Sequence, residues 1–230
     1  MNTSMSGSFS RSQTFLSKVF TLMFVGLGIS TLFAVLFGTN HELMSTLVTT
    51  LPNHKMSMTG LGWLVTFLPL IFVLIMSFGY DSLSKGSLMG LFLLFAAING
   101  ISLSFVVMAY TTVSLVGCFA SAAAMFGVMA LYGYATKKDL TSWGAILFAA
   151  LIGIIISLFI NMFLGSHIFD YVISIIGVIV FCALTAYDVQ KLKGMAYDEK
   201  SAIMGALELY LDFINLFLFL LRLFGGSSKD

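Results

Sequence analysis

Seven runs of apolar residues, each about as long as a bilayer is thick, set the limits on this fold. A helix needs about 20 apolar residues to cross the hydrocarbon core. The runs cover roughly 16–37, 59–80, 86–109, 112–135, 142–164, 168–190 and 202–224, which predicts an all-α integral membrane protein. Residues 1–15 are polar and rich in Ser and Thr, with Arg11 as their one charge. They read as a disordered cytoplasmic tail. No short apolar core with a small-residue cleavage site precedes the first run, so it reads as a retained helix. Residues 16–224 form the membrane domain, and 225–230 a short C-terminal tail. The connections at 110–112 and 165–167 are so short that the helices flanking them must be antiparallel hairpins. The longest loop, roughly 38–58, is polar and holds Pro52, His41 and His54. Pro69 is a candidate kink in the second run.

Composition agrees. The chain is 59% hydrophobic and 9% charged, with a mean hydropathy of +1.04; soluble domains carry about a quarter charged residues. A net charge of +1 without a basic cluster excludes nucleic acid as a partner. Cys118 and Cys182 lie inside apolar runs and read as packing residues. Small residues crowd the fourth run (Gly117, Ala120, Ser121, Ala122, Ala123, Ala124, Gly127), a face suited to close helix packing. Orientation follows from Lys and Arg. With the N-terminus cytoplasmic and seven spans, that side holds Arg11, Lys18, Lys85, Lys137, Lys138, Lys191, Lys193 and Lys200, and the other holds Lys55, Arg222 and Lys229. The bias places the C-terminus outside. A six-helix reading, with the last run re-entrant or a weaker span dropped, ranks second.

The last run carries the polar residues that a bilayer tolerates least. Glu208, Asp212 and Asn215 fall at i, i+4 and i+7, on one helical stripe. A carboxylate deep in a membrane costs about 2.5 kcal/mol or more on insertion scales, so the stripe is expected to face inward. Asp188, near the cytoplasmic end of the sixth run, can meet it, because about a dozen residues connect the two runs. Two carboxyls held together cannot both ionise cheaply, so the pair shares a proton near neutral pH and forms a proton-dependent latch. The same oxygens can take a hard cation such as Ca²⁺. The competing reading leaves Asp188 solvated at the interface and Glu208 hydrogen-bonded near the headgroups. Asn99, Asn161 and Asn215 read mainly as interhelical hydrogen-bond formers, the three histidines as solvated loop residues, Arg222 as a snorkelling cation, and Trp63 and Trp143 as interfacial belt residues. The chain carries no GxSxG, HExxH or P-loop, and no enzymatic role is expected.

The stretch Leu209-Tyr210-Leu211-Asp212-Phe213-Ile214-Asn215-Leu216-Phe217 resembles the signature of the Bax inhibitor-1 family. Tyr187-Asp188 with Gln190-Lys191, Asn99-Gly100-Ile101-Ser102-Leu103 and Lys137-Lys138-Asp139-Leu140 are similar to that family as well. The resemblance implies a seven-helix bundle with the last helix central. It implies a pH-sensitive Ca²⁺ leak, with Asp188 and Asp212 as a di-aspartyl sensor and gate, possible ligands of Ca²⁺. Ca²⁺ and H⁺ are then the transported and sensed ions, lipid is the surrounding partner, and no cofactor is tightly bound. Glu208 and Asn215 are additional candidates for an ion or proton site. Some members latch the aspartates with an arginine at the end of the second helix. Residues 78–85 hold none here, and Lys85 is the candidate substitute. Some bacterial relatives modulate a membrane-anchored protease, which gives the alternative: a non-conducting regulator that binds a membrane protein through its helix faces or its N-terminal tail, residues 1–15. The short C-terminus, lacking a basic tail, points to a bacterial inner membrane.

Overall fold

The computed structural model describes residues 2–50, 56–195 and 198–226. Among them are eight helices and one hairpin: α1 (Asn2–Thr39), α2 (His41–Leu47), β1 (Val48–Thr50), β2 (Met56–Met58), α3 (Gly60–Phe78), α4 (Lys85–Ala109), α5 (Thr112–Ala135), α6 (Trp143–Leu164), α7 (His167–Lys193) and α8 (Glu199–Phe224). Seven helices are long and apolar enough to cross a membrane: Ser12–Thr39 of α1, and α3 to α8 entire. The chain is an all-α integral membrane protein. In α8, 72% of the most apolar 18-residue stretch is buried, against 11–33% in the other six spans. The last helix is therefore the enclosed one, as the resemblance implied.

One expectation needs correction. Helix α1 begins at Asn2, where the sequence reading placed a disordered tail up to residue 15. Ser12, Phe15 and Leu16 are buried, and the Ser12 hydroxyl donates to the Lys193 carbonyl at 3.4 Å. Once the apolar turns have nucleated a helix, each further residue adds a hydrogen bond at little cost, and residues 2–15 contain no proline to stop it. At the other end, Gly225 and Gly226 follow α8, and Lys229 lies outside the described residues, as do Pro52, His54 and Lys55.

The chain divides into two compact units. One comprises residues 18–50, 56–111 and 198–207 of the described chain. Here α3 packs on α4, and α3 stays one helix through the buried Pro69. The Ser30 hydroxyl donates to the Ala96 carbonyl at 2.6 Å, tying α1 to α4. The polar loop between the first two spans holds more structure than its composition suggests. Asn40 caps α2 by accepting from the N–H groups of Glu42 and Leu43, as an N-cap asparagine should. Strands β1 and β2 pair antiparallel, Val48 opposite Met58 and Thr50 opposite Met56. Met44, Leu47 and Val65 form a buried cluster beneath them, with Phe37, Ile101 and Phe105 packed against it.

The other unit comprises residues 2–17, 112–195 and 208–226 of the described chain. Helices α5 and α6 both pack on α7. The α5 face that is buried runs through Cys118, Ala122, Phe126, Ala130 and Gly133. Most of the small residues expected to pack face outward instead: Gly117, Ala120, Ser121, Ala123 and Ala124 are exposed. The α6–α7 turn is made by Gly165, at a φ of 60° that suits glycine. Asn161 closes that turn by accepting from the Ser166 N–H at 3.1 Å, rather than bonding another helix. The exposed faces of α6 are Ile, Phe, Met and Leu, an apolar surface for lipid.

Candidate functional site

Helices α7 and α8 run antiparallel, and their contacts step in opposite senses along the two sequences. Arg222 meets Asp170 at 3.5 Å, Phe219 lies against Phe181 with ring centroids 5.8 Å apart, and Asp188 and Lys191 face Asp212 and Glu208. Arg222 thus pairs across the helices instead of only reaching for headgroups. In this register the acids of α7 and α8 fall on the faces that the two helices turn toward each other.

The end of α7 that carries Asp188 is held on several sides. Gly133 of α5 lets the two backbones touch, since a Cβ there would overlap the Ala186 carbonyl. Gln190 grips the α5–α6 turn with both ends of its amide: its Oε1 accepts from the Leu140 N–H at 2.7 Å, and its Nε2 donates to the Lys138 carbonyl at 2.8 Å. Lys193 donates to the Tyr134 carbonyl at 2.9 Å. Gln190 and the turn at 137–140 are motif residues of the sequence reading, and the structure gives them this bracing role.

Asp188 and Asp212 are both buried, at 9% and 5% exposure, and their side chains lie close enough on the facing helices to act on one another. Two carboxyls this close can share one proton between them. Asp188 is buried rather than solvated at the interface. Asp212 Oδ2 is fully buried and has no hydrogen-bond donor among the described residues.

The other candidates separate. Glu208, one turn before Asp212, is one-third exposed and held by Lys191, whose ammonium lies 3.0 Å from both Glu208 oxygens. The same ammonium is 4.0 Å from Asp188 Oδ1. Asn215 turns onto its own helix, donating to the Leu211 carbonyl at 2.8 Å. Lys85 pairs with Glu199 at the start of α8, where Lys18 also binds at 2.8 Å; it is engaged there, and the cation that faces the acids is Lys191. Sequence reasoning quoted Lys191 without giving it a role. The signal was present, because Lys191 is i+3 from Asp188 and so shares its face. Among the described residues, no three His, Cys, Asp or Glu side chains are grouped to hold a metal.

This arrangement is a pair of buried carboxyls that can share a proton, with a lysine–glutamate ion pair at its edge. The family described as "Inhibitor of apoptosis-promoting Bax1" matches residues 12–229. The inner membrane protein YbhL of Escherichia coli K12 is 41% identical over 223 residues, covering 93% of this chain and 92% of that protein. A protein of Rickettsia prowazekii is 41% identical over 184 residues, covering 77% and 78%. One of Borreliella burgdorferi is 39% identical over 224 residues, covering 94% and 93%. The match runs through the acid-bearing helices and nearly the whole chain, and on that basis the chain belongs to the Bax inhibitor-1 family of membrane proteins.

Proposed function

We propose that this protein is a cation leak pathway, with Ca²⁺ as the transported ion, and that the proton shared by Asp188 and Asp212 sets its opening. The observation that carries the reading is the burial of these two carboxyls side by side on facing helices. Shared, the proton joins α7 to α8. Removed, it leaves two like charges side by side in a medium of low dielectric, and they repel. The separated oxygens are then hard donors suited to a passing Ca²⁺, which takes six to eight oxygens and draws the remainder from water and carbonyls.

The membrane we propose is a bacterial inner membrane, the one named for the E. coli relative, with the N-terminus cytoplasmic. The regulator reading, in which residues 1–15 contact another membrane protein, has less support, because Ser12 and Phe15 are packed within this chain.

The test is Ca²⁺ flux into proteoliposomes over a pH series, comparing wild type with Asp188→Asn and Asp212→Asn. Asparagine keeps the size and supplies a permanent donor, so each variant should lose most of the pH response. A response of wild-type steepness and midpoint in both variants would remove the sensor assignment. Absence of any flux in the wild type would turn the reading toward the regulator.

A further inference from the structure

We infer that Lys191 is a tethered cation that keeps a free divalent ion out of the acid cluster, and that Glu208 is the ligand it withholds. The inference rests on the reading of Asp188 and Asp212 as a proton and cation site, and extends it to Lys191, which has no assigned role, and to the relation between Lys191 and Glu208.

The ammonium of Lys191 sits 3.0 Å from each Glu208 oxygen and 4.0 Å from Asp188 Oδ1. It thus occupies the position between two of the three carboxylates where a metal ion would sit. The third carboxylate, Asp212, stands one helical turn from Glu208 on the same face. It is 5% exposed, and its Oδ2 is buried with no donor aimed at it. An unpartnered buried oxygen beside two further acids is an unfilled coordination position. With Lys191 in place, no three acids of the described chain converge on one point. Both Glu208 oxygens are engaged by the ammonium. A lysine suits this role, being a compact charge on a flexible four-carbon stem. Its side chain is 36% exposed and has room to swing.

Among the described residues, the titratable groups that act on the Lys191 ammonium are Glu208 of α8 and Asp188 and Tyr187 of α7, and none comes from α5 or α6. Removing Lys191 takes away the cation at the edge of the cluster and frees Glu208 to join Asp188 and Asp212. Removing the Glu208 charge does the opposite. One acid is lost, and Lys191 is released to close on Asp188 from its present 4.0 Å. A pair that only fastened α7 to α8 would make the two variants behave alike, whereas a tethered competitor makes them diverge.

The experiment measures Mn²⁺ binding to the full-length purified protein by electron paramagnetic resonance at neutral pH. Lys191→Gln should bind Mn²⁺ about tenfold more tightly than wild type, since affinity follows the charge and number of oxygen ligands. Glu208→Gln should bind it more weakly than wild type. Adding Asp212→Asn to Lys191→Gln should abolish the gain, which ties the new ion to this cluster and not to the surface. Lys191→Met, which keeps the length of the stem, serves as a second variant if Lys191→Gln does not fold. Equal affinity in the lysine variants and wild type overturns the inference, as does a parallel shift of the lysine and glutamate variants, or a gain that survives the loss of Asp212. Failure of the leak reading shows in the proteoliposome flux alone. The Mn²⁺ result judges Lys191 and Glu208 whether or not the protein conducts.

Discussion

Asp188 sits where it does because of neighbours that carry no charge into the pair. Gln190, two residues further on, fixes the α5–α6 turn to the end of α7, and that turn has a brace of its own. Asp139 accepts from Thr141, through its hydroxyl and through its N–H at 2.9 Å. These donors hold the Asp139 carboxyl below the usual carboxylate range, because they favour the charged form. A depressed folded-state pKa contributes stability that is fully present above the unfolded value, about 3.9, and is lost as pH falls through the depressed value. The difference in melting temperature between wild type and Asp139→Ala should therefore be constant above about pH 4 and close on further acidification. A gap that stays flat or widens in acid would remove the brace. Of the residues around the site, the two aspartates were legible in the sequence, because an acid within an apolar run stands out. Lys191 was not, because a lysine near a span end has an ordinary explanation in snorkelling. Only the facing register, with Glu208 opposite, separates the two roles.

At the scale of elements, the seven spans were readable from apolar length alone, and their predicted bounds differ from the observed ones by a few residues, apart from the extra turns at the start of α1. Which face each span buries was not readable in the same way. Lipid accepts small residues and large apolar ones alike, so composition does not mark the inward side of a membrane helix as it does in water. In α5 the crowded small residues suggested the packed face, yet the buried stripe includes Phe126 and ends at Gly133, which lay outside the cluster singled out. The two kinds of glycine should respond differently to substitution. Gly133→Val drives a side chain into the Ala186 carbonyl, backbone two residues from Asp188, and overpacking of this kind costs about 1–3 kcal/mol. It should lower the melting temperature in detergent and weaken the pH response of flux as well. Gly117→Ala has open space around the new methyl and replaces a poor helix former by the best one, so stability should hold or rise. Equal losses in both would mean that the α5–α7 approach is not what positions the acids. The short helix α2 and the β1–β2 hairpin escaped the sequence reading for a further reason: their apolar anchors Met44 and Leu47 are isolated in a polar stretch, too few to show a period.

For the whole molecule the open variable is direction across the membrane, which decides from which side protons reach Asp188 and Asp212. Seven spans put the two termini on opposite faces. Lys and Arg then segregate, with Lys18, Lys85, Lys137, Lys138, Lys191, Lys193 and Lys200 on one face and Arg222 on the other. This is the bias that keeps basic loops in the cytoplasm. The acid pair lies nearer the basic side: Asp188 is five residues from Lys193, where α7 ends, or about 7.5 Å at 1.5 Å per residue. Lys191 and Glu208 lie between the pair and that side, and both are about one-third exposed. On the proposed reading, with the N-terminus cytoplasmic, the protons would reach the pair from the cytoplasm and the proposed leak would answer to cytoplasmic pH. Two measurements check this together. Alkaline phosphatase fused after Gly226 should be active, and the same enzyme inserted at Lys138 should be inactive, since it folds to an active form only outside the cytoplasm. In proteoliposomes with the protein inserted in one direction, changing pH on the face of Lys138 should move the flux, and changing it on the face of Gly226 should leave it nearly unchanged. An active fusion at Lys138 would invert the orientation. A flux that answers only to pH on the Gly226 face would place the proton's route through the far half of α8, past Asn215 and Arg222, and not past Lys191.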